Sequence, residues 1–191
     1  MQHHLNAAKG WLGLRNYSEA NRELELIAGP ARVHPDVLEL RWQIYSQQKM
    51  WTAALEIATA IVELAPERAF GWIHQAYSLH ALGRTEQAYE RLSGVADRFM
   101  ELPVIPYSLA CYGCQIGKLE EAFSWMQKAM QCGDSKRIVH AALAEMTLEP
   151  IWDRLRKAIG KRKSVVYLPN ASPVAGKRAR YRPMRLSKSR R

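Results

Sequence analysis

Residues 38–66 read LELRWQIYSQQKMWTAALEIATAIVELAP. Apolar side chains recur in this stretch at spacings of three and four residues, which is the pattern of a helix that buries one face. No strict alternation of polar and apolar residues competes with that pattern, so strands are not expected. Pro66 closes the stretch, because a proline cannot continue a helix. The segment therefore predicts a pair of helices joined by a short turn.

The stretch is one copy of a repeat with a period of 34 residues. Alanines mark the period at Ala20, Ala54, Ala88 and Ala122. Three further columns keep the same register and hold Ala8, Trp42, Ala76 and Ala110; Leu24, Ala58, Leu92 and Met126; and Ile27, Ile61, Val95 and Ala129. A repeat of this length is typical of helix pairs that pack into an array. We expect the alanines to lie where two helices cross too closely for a larger side chain.

The repeat resembles the tetratricopeptide repeat (TPR) family. Its units have a small residue in the first helix, an aromatic at the turn, an alanine early in the second helix and a closing proline. The best match has Tyr45, Trp51, Ala54 and Pro66 in these places. The resemblance covers about residues 2–134 and implies an all-α fold, a right-handed α-solenoid of TPR helix–turn–helix repeats. Four repeats are predicted, at about residues 1–34, 35–68, 69–102 and 103–134.

Residues 135–160 are predicted to end the array as C-terminal capping helices. Apolar residues keep helical spacing there, at Leu148, Ile151, Trp152, Leu155 and Ile159. We expect one helix over Ser135–Ala144 and a second over about Glu149–Gly160. Such a cap is needed because the last repeat would otherwise expose an apolar side.

The net charge of +10 comes from one end of the chain. Residues 161–191 contain 11 basic residues and no acidic one, so residues 1–160 carry 17 basic and 18 acidic side chains. Prolines and serines are scattered among the basic residues, and such a composition buries too little apolar surface to fold alone. We predict a disordered basic tail. It is suited to bind DNA, RNA or another polyanion through Lys177, Arg178, Arg180, Arg182 and Arg185.

Several classes of protein are disfavoured by what the sequence lacks. No run approaches the roughly 18–20 apolar residues of a membrane span, and the first residues do not have the build of a secretory signal. Three cysteines, an odd number, fit a reducing compartment, so a cytoplasmic location is expected. Phosphate-loop, zinc-protease and hydrolase-elbow motifs are missing. We therefore expect no enzyme, no catalytic residue, and no metal or cofactor.

Cys111 and Cys114 form the one pair that suggests chemistry. Three residues apart on a helix, the two thiols share a face and are placed to bind zinc or to form a redox couple. Zinc usually takes four ligands, however, and only Cys132 remains. We interpret the pair as small, buried apolar residues and keep a thiol or zinc protein as a third hypothesis.

The TPR resemblance implies a concave groove lined by the first helix of each repeat, here called helix A. The predicted groove residues are Gln43, Gln47, Phe70, Ile73, Tyr77, His80 and Tyr107. Their mixture of aromatic, aliphatic and amide side chains suits a peptide or an amphipathic helix of a partner protein. The leading hypothesis is therefore a non-enzymatic protein–protein interaction scaffold or adaptor.

Two alternatives stay open from the sequence. In the first, the C-terminal helices fold partly into the groove and satisfy its residues internally. In the second, the protein is associated with nucleic acid: the basic tail, residues 161–191, supplies the affinity while the TPR body recruits partners.

Overall fold

The computed structural model describes residues 1–161, and all the regular structure in that range is helical. The five basic residues predicted to bind polyanions (Lys177, Arg178, Arg180, Arg182 and Arg185) lie outside the described residues, as does the tail beyond Lys161. Two compact units divide the chain, Met1–Phe99 and a second unit that starts at Met100.

The first unit contains three helix pairs. They are α1 (Gln2–Gly13) with α2 (Tyr17–Glu25), α3 (Pro35–Gln47) with α4 (Trp51–Leu64), and α5 (Ala69–Ala81) with α6 (Thr85–Ser93). Short 3-10 helices follow the first and third pairs, at Gly29–Val33 and Ala96–Phe99. The first helix of each pair, α1, α3 or α5, is helix A of its repeat.

The second unit contains one more pair and the C-terminal helices. The pair is α7 (Val104–Gln115) with α8 (Leu119–Cys132), and it is followed by α9 (Ser135–Ala144), a 3-10 helix (Met146–Ile151) and α10 (Trp152–Lys161). The first C-terminal helix has the predicted bounds. The second begins as an α-helix only at Trp152, three residues later than predicted. Pro150 lies just before it and has no N–H to donate, and the backbone there forms 3-10 turns instead.

The alanines of the 34-residue register are fully buried at the crossings of the helix pairs. Ala20, Ala54, Ala88 and Ala122 have no exposed surface. Gly113 on α7 packs directly against the last of them, since a Cβ added at the glycine would lie 3.1 Å from the Ala122 Cβ. The prediction that small residues mark close helix crossings is confirmed.

The turn inside each helix pair places one residue in the left-handed backbone region. These residues keep the same period and are Arg15 (φ 60°), Lys49 (φ 61°), Gly83 (φ 79°) and Gly117 (φ 79°). Glycine adopts this conformation freely, whereas a residue with a side chain adopts it at a cost of roughly 1 kcal/mol. The first two turns therefore carry a strain that the other two avoid.

Each unit has its own buried core. In the first unit, one cluster includes Leu5, Leu24, Leu40 and Ile44, and a second contains Trp42, Ala54 and Ala58. In the second unit, Met126 of α8 is buried together with Ile138, Leu148, Ile151 and Leu155 of the C-terminal segment. The apolar stripe of that segment thus lies against the helix pair that precedes it.

Within residues 1–161, no helix combines the length and the apolar character needed to cross a bilayer.

Candidate functional site

The helix-A side of the first unit collects most of the predicted groove residues. Gln43 and Gln47 lie on α3, while Phe70, Ile73, Tyr77 and His80 lie on α5. All are half-buried except Gln47, which is exposed. We call these six residues the helix-A face.

A stacked pair of rings joins the two helices beneath this face. Trp42 of α3 lies parallel to His74 of α5, with 3.7 Å between the ring centroids and 4° between the planes. The indole N–H of Trp42 donates a hydrogen bond to Ser78 Oγ at 2.9 Å. The Ser78 hydroxyl in turn donates to the His74 carbonyl oxygen at 2.8 Å. The two helices are held in one register by these contacts.

Trp42 fits because a neighbouring position has lost volume. In the 34-residue register, Trp42 occupies a column of alanines, while Ala58 occupies a column that otherwise holds leucine or methionine. The two residues share one buried cluster with Ala54, in which Trp42 is 7% exposed and both alanines are fully buried. A large side chain and a small one have exchanged places relative to the other repeats.

His74 is uncharged at neutral pH. Burial lowers the pKa of its imidazole to about 3, because the charged ring would lose its hydration. Its Nε2 atom is shielded from solvent and has no hydrogen-bond partner in the described structure. The ring centroid of Phe70 is 5.9 Å from that of His74, with the two planes tilted by 52°. His74 therefore serves as an aromatic packing element rather than as a cation or a general base.

Tyr77 and His80 are held by contacts within the unit. The Tyr77 ring meets Trp42 and Trp51 edge-on, at centroid distances of 6.0 and 5.5 Å. Burial raises the pKa of its phenol. His80 Nδ1 lies 3.1 Å from the Thr85 hydroxyl at the start of α6. Both side chains thus present a fixed, partly exposed surface.

Charged groups border the face near Phe70. Arg68 forms an ion pair with Asp36 at 2.5 Å, and its guanidinium lies 5.8 Å from the Phe70 ring centroid. Burial raises the pKa of the nearby Glu39 carboxyl and Asp36 adds to the rise, whereas Lys9 and Arg68 oppose it. This end of the face is therefore of mixed charge.

Trp42, His74 and Glu39 are not among the groove residues that the sequence predicts. The signal for Trp42 was visible, since a tryptophan stands in a column of alanines. No comparable signal marked the stacking of His74, because the spacing that brings it under the indole depends on how α3 and α5 pack.

Tyr107, the remaining predicted groove residue, lies on α7 in the second unit. It is half-buried and packs against the core cluster that contains Cys111 and Cys114. Its participation in a common groove stays a prediction.

The two cysteines are in environments that suppress thiol chemistry. Burial raises the pKa of the Cys111 thiol to about 12 and that of Cys114 to about 11. A thiol with such a pKa is protonated near neutral pH, while nucleophiles and zinc ligands are thiolates. Among residues 1–161, His, Cys, Asp and Glu side chains form no group of three or more suited to a metal ion.

The paired helices, the 34-residue register and the buried alanines define a tetratricopeptide repeat fold of the α-solenoid class. Solved structures agree. A thermophilic TPR protein of Thermus thermophilus matches with a TM-score of 0.63 at 17% identity, over 84% of this chain and 83% of that one. MamA (41-end) from Desulfovibrio magneticus RS-1 matches with a TM-score of 0.63 at 15% identity, over 85% of this chain and 97% of that one.

PcrH, in complex with the chaperone binding region of PopB, matches with a TM-score of 0.52 at 22% identity, over 69% of this chain and 98% of that one. PcrH is a protein of Pseudomonas aeruginosa. No family model and no curated protein matches the sequence. At these identities, the likeness to solved structures concerns the fold.

Proposed function

We propose that this protein is a non-enzymatic interaction scaffold that binds a peptide or a helix of a partner protein on the helix-A face. The observation that carries the proposal is the row of half-buried Phe70, Ile73 and Tyr77 on α5, beside the amide side chains of Gln43 and Gln47 on α3.

The chemistry of the face supports a polypeptide ligand. Half-buried apolar side chains lose their remaining contact with water when a ligand covers them, which is worth about 25 cal/mol per Å² of apolar surface. Glutamine side chains both donate and accept hydrogen bonds, so they can pair with the N–H and C=O groups of a bound backbone. A ligand with an apolar stripe and a free or helical backbone uses both features.

The packing below the face supports affinity in a second way. Trp42, His74 and Ser78 are linked by stacking and hydrogen bonds, and Tyr77 is braced against Trp42 and Trp51. A surface that is already ordered loses little conformational entropy on binding. PcrH provides a precedent for the class of ligand, since that TPR-like protein is solved with a region of PopB.

The test is a selection of short peptides from a random display library on the full-length protein, followed by measurement of Kd. Ile73→Arg is the decisive variant, because it places a charge in the middle of the face at a residue outside the stacked cluster. We expect it to weaken binding of the selected peptides by at least about tenfold. Equal binding by Ile73→Arg would disprove the proposed location.

Two controls separate the face from other surfaces. Leu64→Arg places the same charge at a position of α4 that is 55% exposed, and it should leave Kd unchanged. Alanine at Lys177, Arg178, Arg180, Arg182 and Arg185 should also leave it unchanged. If peptide binding depends on those five residues and falls steeply with salt, the function belongs to the basic tail instead.

A further inference from the structure

A depression of about 750 Å³ lies in the first unit, beside the turns of the first two helix pairs. Its lining includes Leu14, Tyr17 and Asn21 from the first pair and Ile44, Tyr45 and Met50 from the second. These residues do not overlap with the helix-A face. We call this depression the turn pocket.

Several large apolar and aromatic side chains lie around the turn pocket, among polar ones. Leu14 is 74% exposed and Met50 is 47% exposed, and the half-buried rings of Tyr17 and Tyr45 lie with them. Ile44 is fully buried below. Exposed apolar side chains grouped around a depression of this size indicate a place where a partner side chain can be received.

One polar atom in the pocket wall lacks a partner. Asn21 Oδ1 is shielded from solvent and accepts no hydrogen bond within the described structure. The neighbouring Asn16 is already occupied, since its side chain accepts from the backbone N–H of Glu19 at 3.2 Å and caps α2. A buried acceptor without a donor is unfavourable, and the same shielding keeps this oxygen out of reach of a ligand in the pocket.

The charge around the pocket is positive. Arg15 lines it, and Lys49 lies in the turn between two lining residues, Gln48 and Met50. No Asp or Glu is among the lining residues, and neither cation has an ion-pair partner within residues 1–161. These are the two left-handed turn residues that have replaced glycine in the 34-residue register. The strain of the left-handed backbone therefore falls at the two turn positions that carry a basic side chain instead of glycine.

We propose that the turn pocket binds an acidic peptide segment of a partner protein. One large apolar side chain of the segment sits between Leu14 and Met50 above Ile44, and flanking carboxylates pair with Arg15 and Lys49. The exposed apolar side chains of Leu14 and Met50 beside only two cations favour a peptide over a nucleic acid, and the basic residues 161–191 of this chain carry the wrong charge to fill the site.

The test selects short random peptides on the full-length protein and counter-selects on the double variant Arg15→Glu/Lys49→Glu. We expect the retained peptides to have one large apolar residue flanked by Asp or Glu, and to bind the double variant at least about tenfold more weakly. The charge-matched double variant Arg84→Glu/Arg91→Glu, with both changes at exposed residues of the same unit, should bind like the parent. Arg15→Gly/Lys49→Gly removes both charges and places glycine where the backbone has a positive φ, so the fold is not strained. This variant should also weaken binding.

Several outcomes would overturn the proposal. If no peptide survives the counter-selection, or if the retained peptides have no excess of Asp and Glu, the turn pocket does not bind an acidic peptide. Peptides that are lost on Ile73→Arg but not on Arg15→Glu/Lys49→Glu bind the helix-A face, which supports the proposed function and refutes this site. Displacement of the peptides by single-stranded DNA in a manner that needs Arg15 and Lys49 assigns the pocket to nucleic acid. A dimer that dissociates in the charge-reversed variant assigns it to a second copy of the chain.

Discussion

The indole of Trp42 and the imidazole of His74 lie face to face, 3.7 Å apart at their centroids and within 4° of parallel. One contact fulfils two roles. It fixes α3 against α5, and it contributes to the burial that lowers the pKa of the His74 imidazole to about 3. The shape of the proposed peptide-binding face therefore depends on a histidine that must stay neutral.

The first prediction concerns pH. His74 has a pKa of about 3 in the folded protein, against its ordinary value of 6.5. Below pH 6.5 the unfolded chain takes up a proton that the folded protein does not, so stability is full above pH 6.5 and is lost as pH falls toward 3. The loss amounts to about 1.4 kcal/mol per pH unit. Urea unfolding between about pH 7.5 and 5.5 measures it.

His74→Phe is the matched control for this effect, because phenylalanine retains an aromatic ring and cannot be protonated. Its free energy of unfolding should fall by about 1 kcal/mol less than that of the parent over the same pH interval. An identical fall in both proteins would show that other groups cause the pH dependence.

The second prediction concerns the exchange of volume between Trp42 and Ala58. Trp42→Ala alone should cost about 3–5 kcal/mol through the cavity it leaves, and Ala58→Leu alone about 1–3 kcal/mol through overpacking. The double variant should be more stable than the sum of these costs by at least about 1 kcal/mol, since the leucine fills space that the indole vacates. A double-mutant cycle from thermal or urea unfolding measures the coupling, and additive costs would argue against the exchange.

The third prediction separates two residues of the helix-A face. Tyr77→Ala should lower the free energy of unfolding by about 1–3 kcal/mol, because its ring packs on Trp42 and Trp51. Gln47→Ala, at an exposed position of the same face, should change it by less than about 0.5 kcal/mol. Similar stabilities for the two variants would mean that the Tyr77 ring does not brace the face.

The fourth prediction concerns the left-handed turns. Gly83→Ala should destabilise the protein by about 1 kcal/mol, because alanine is strained at a φ of 79°. Space is not the cause, since a Cβ at this position would have no neighbour within 4 Å. Gly10→Ala inside α1 has equally open surroundings and should instead stabilise by about 0.5–1 kcal/mol. Equal effects of the two changes on urea unfolding would refute the interpretation.

The fifth prediction concerns the thiols. A disulfide reagent at mildly alkaline pH should label Cys132 first, because that residue is half-buried while Cys111 and Cys114 are buried. The pKa of Cys132 is also raised by burial, so even its reaction should be slower than that of a free thiol. Cys132→Ser should remove the fast phase. Rapid labelling of Cys111 or Cys114 would revive the hypothesis of a thiol protein.

The sequence predicted the fold well because the 34-residue period is visible in the residue pattern itself. Four alanines in register identify the crossings of the helix pairs, and the structure buries all four completely. The start of α10 was predicted less well, since the apolar spacing around Ile151 continues through the 3-10 turns that surround Pro150. Apolar spacing reports which face is buried and only loosely where an α-helix begins.

The candidate site was predicted in part. Membership of helix A and residue type are enough to expect Phe70 and Ile73 on an exposed face. The stacking of Trp42 on His74 and the unpartnered Asn21 oxygen depend on three-dimensional packing between helices. The left-handed conformation of Arg15 and Lys49 could not be predicted from the sequence either, because arginine and lysine rarely adopt a positive φ.

The hydrogen bond from Trp42 to Ser78 also restricts which repeat can follow the second one along the chain. In the 34-residue register, the positions of His74 and Ser78 correspond to Leu40 and Ile44 of the preceding repeat. A tandem duplication of residues 35–68 would therefore set the first copy's indole against a leucine and an isoleucine, with no hydroxyl to accept its N–H. The contact therefore ties the second repeat to the particular repeat that follows it, because a copy of itself would leave the indole N–H without its acceptor.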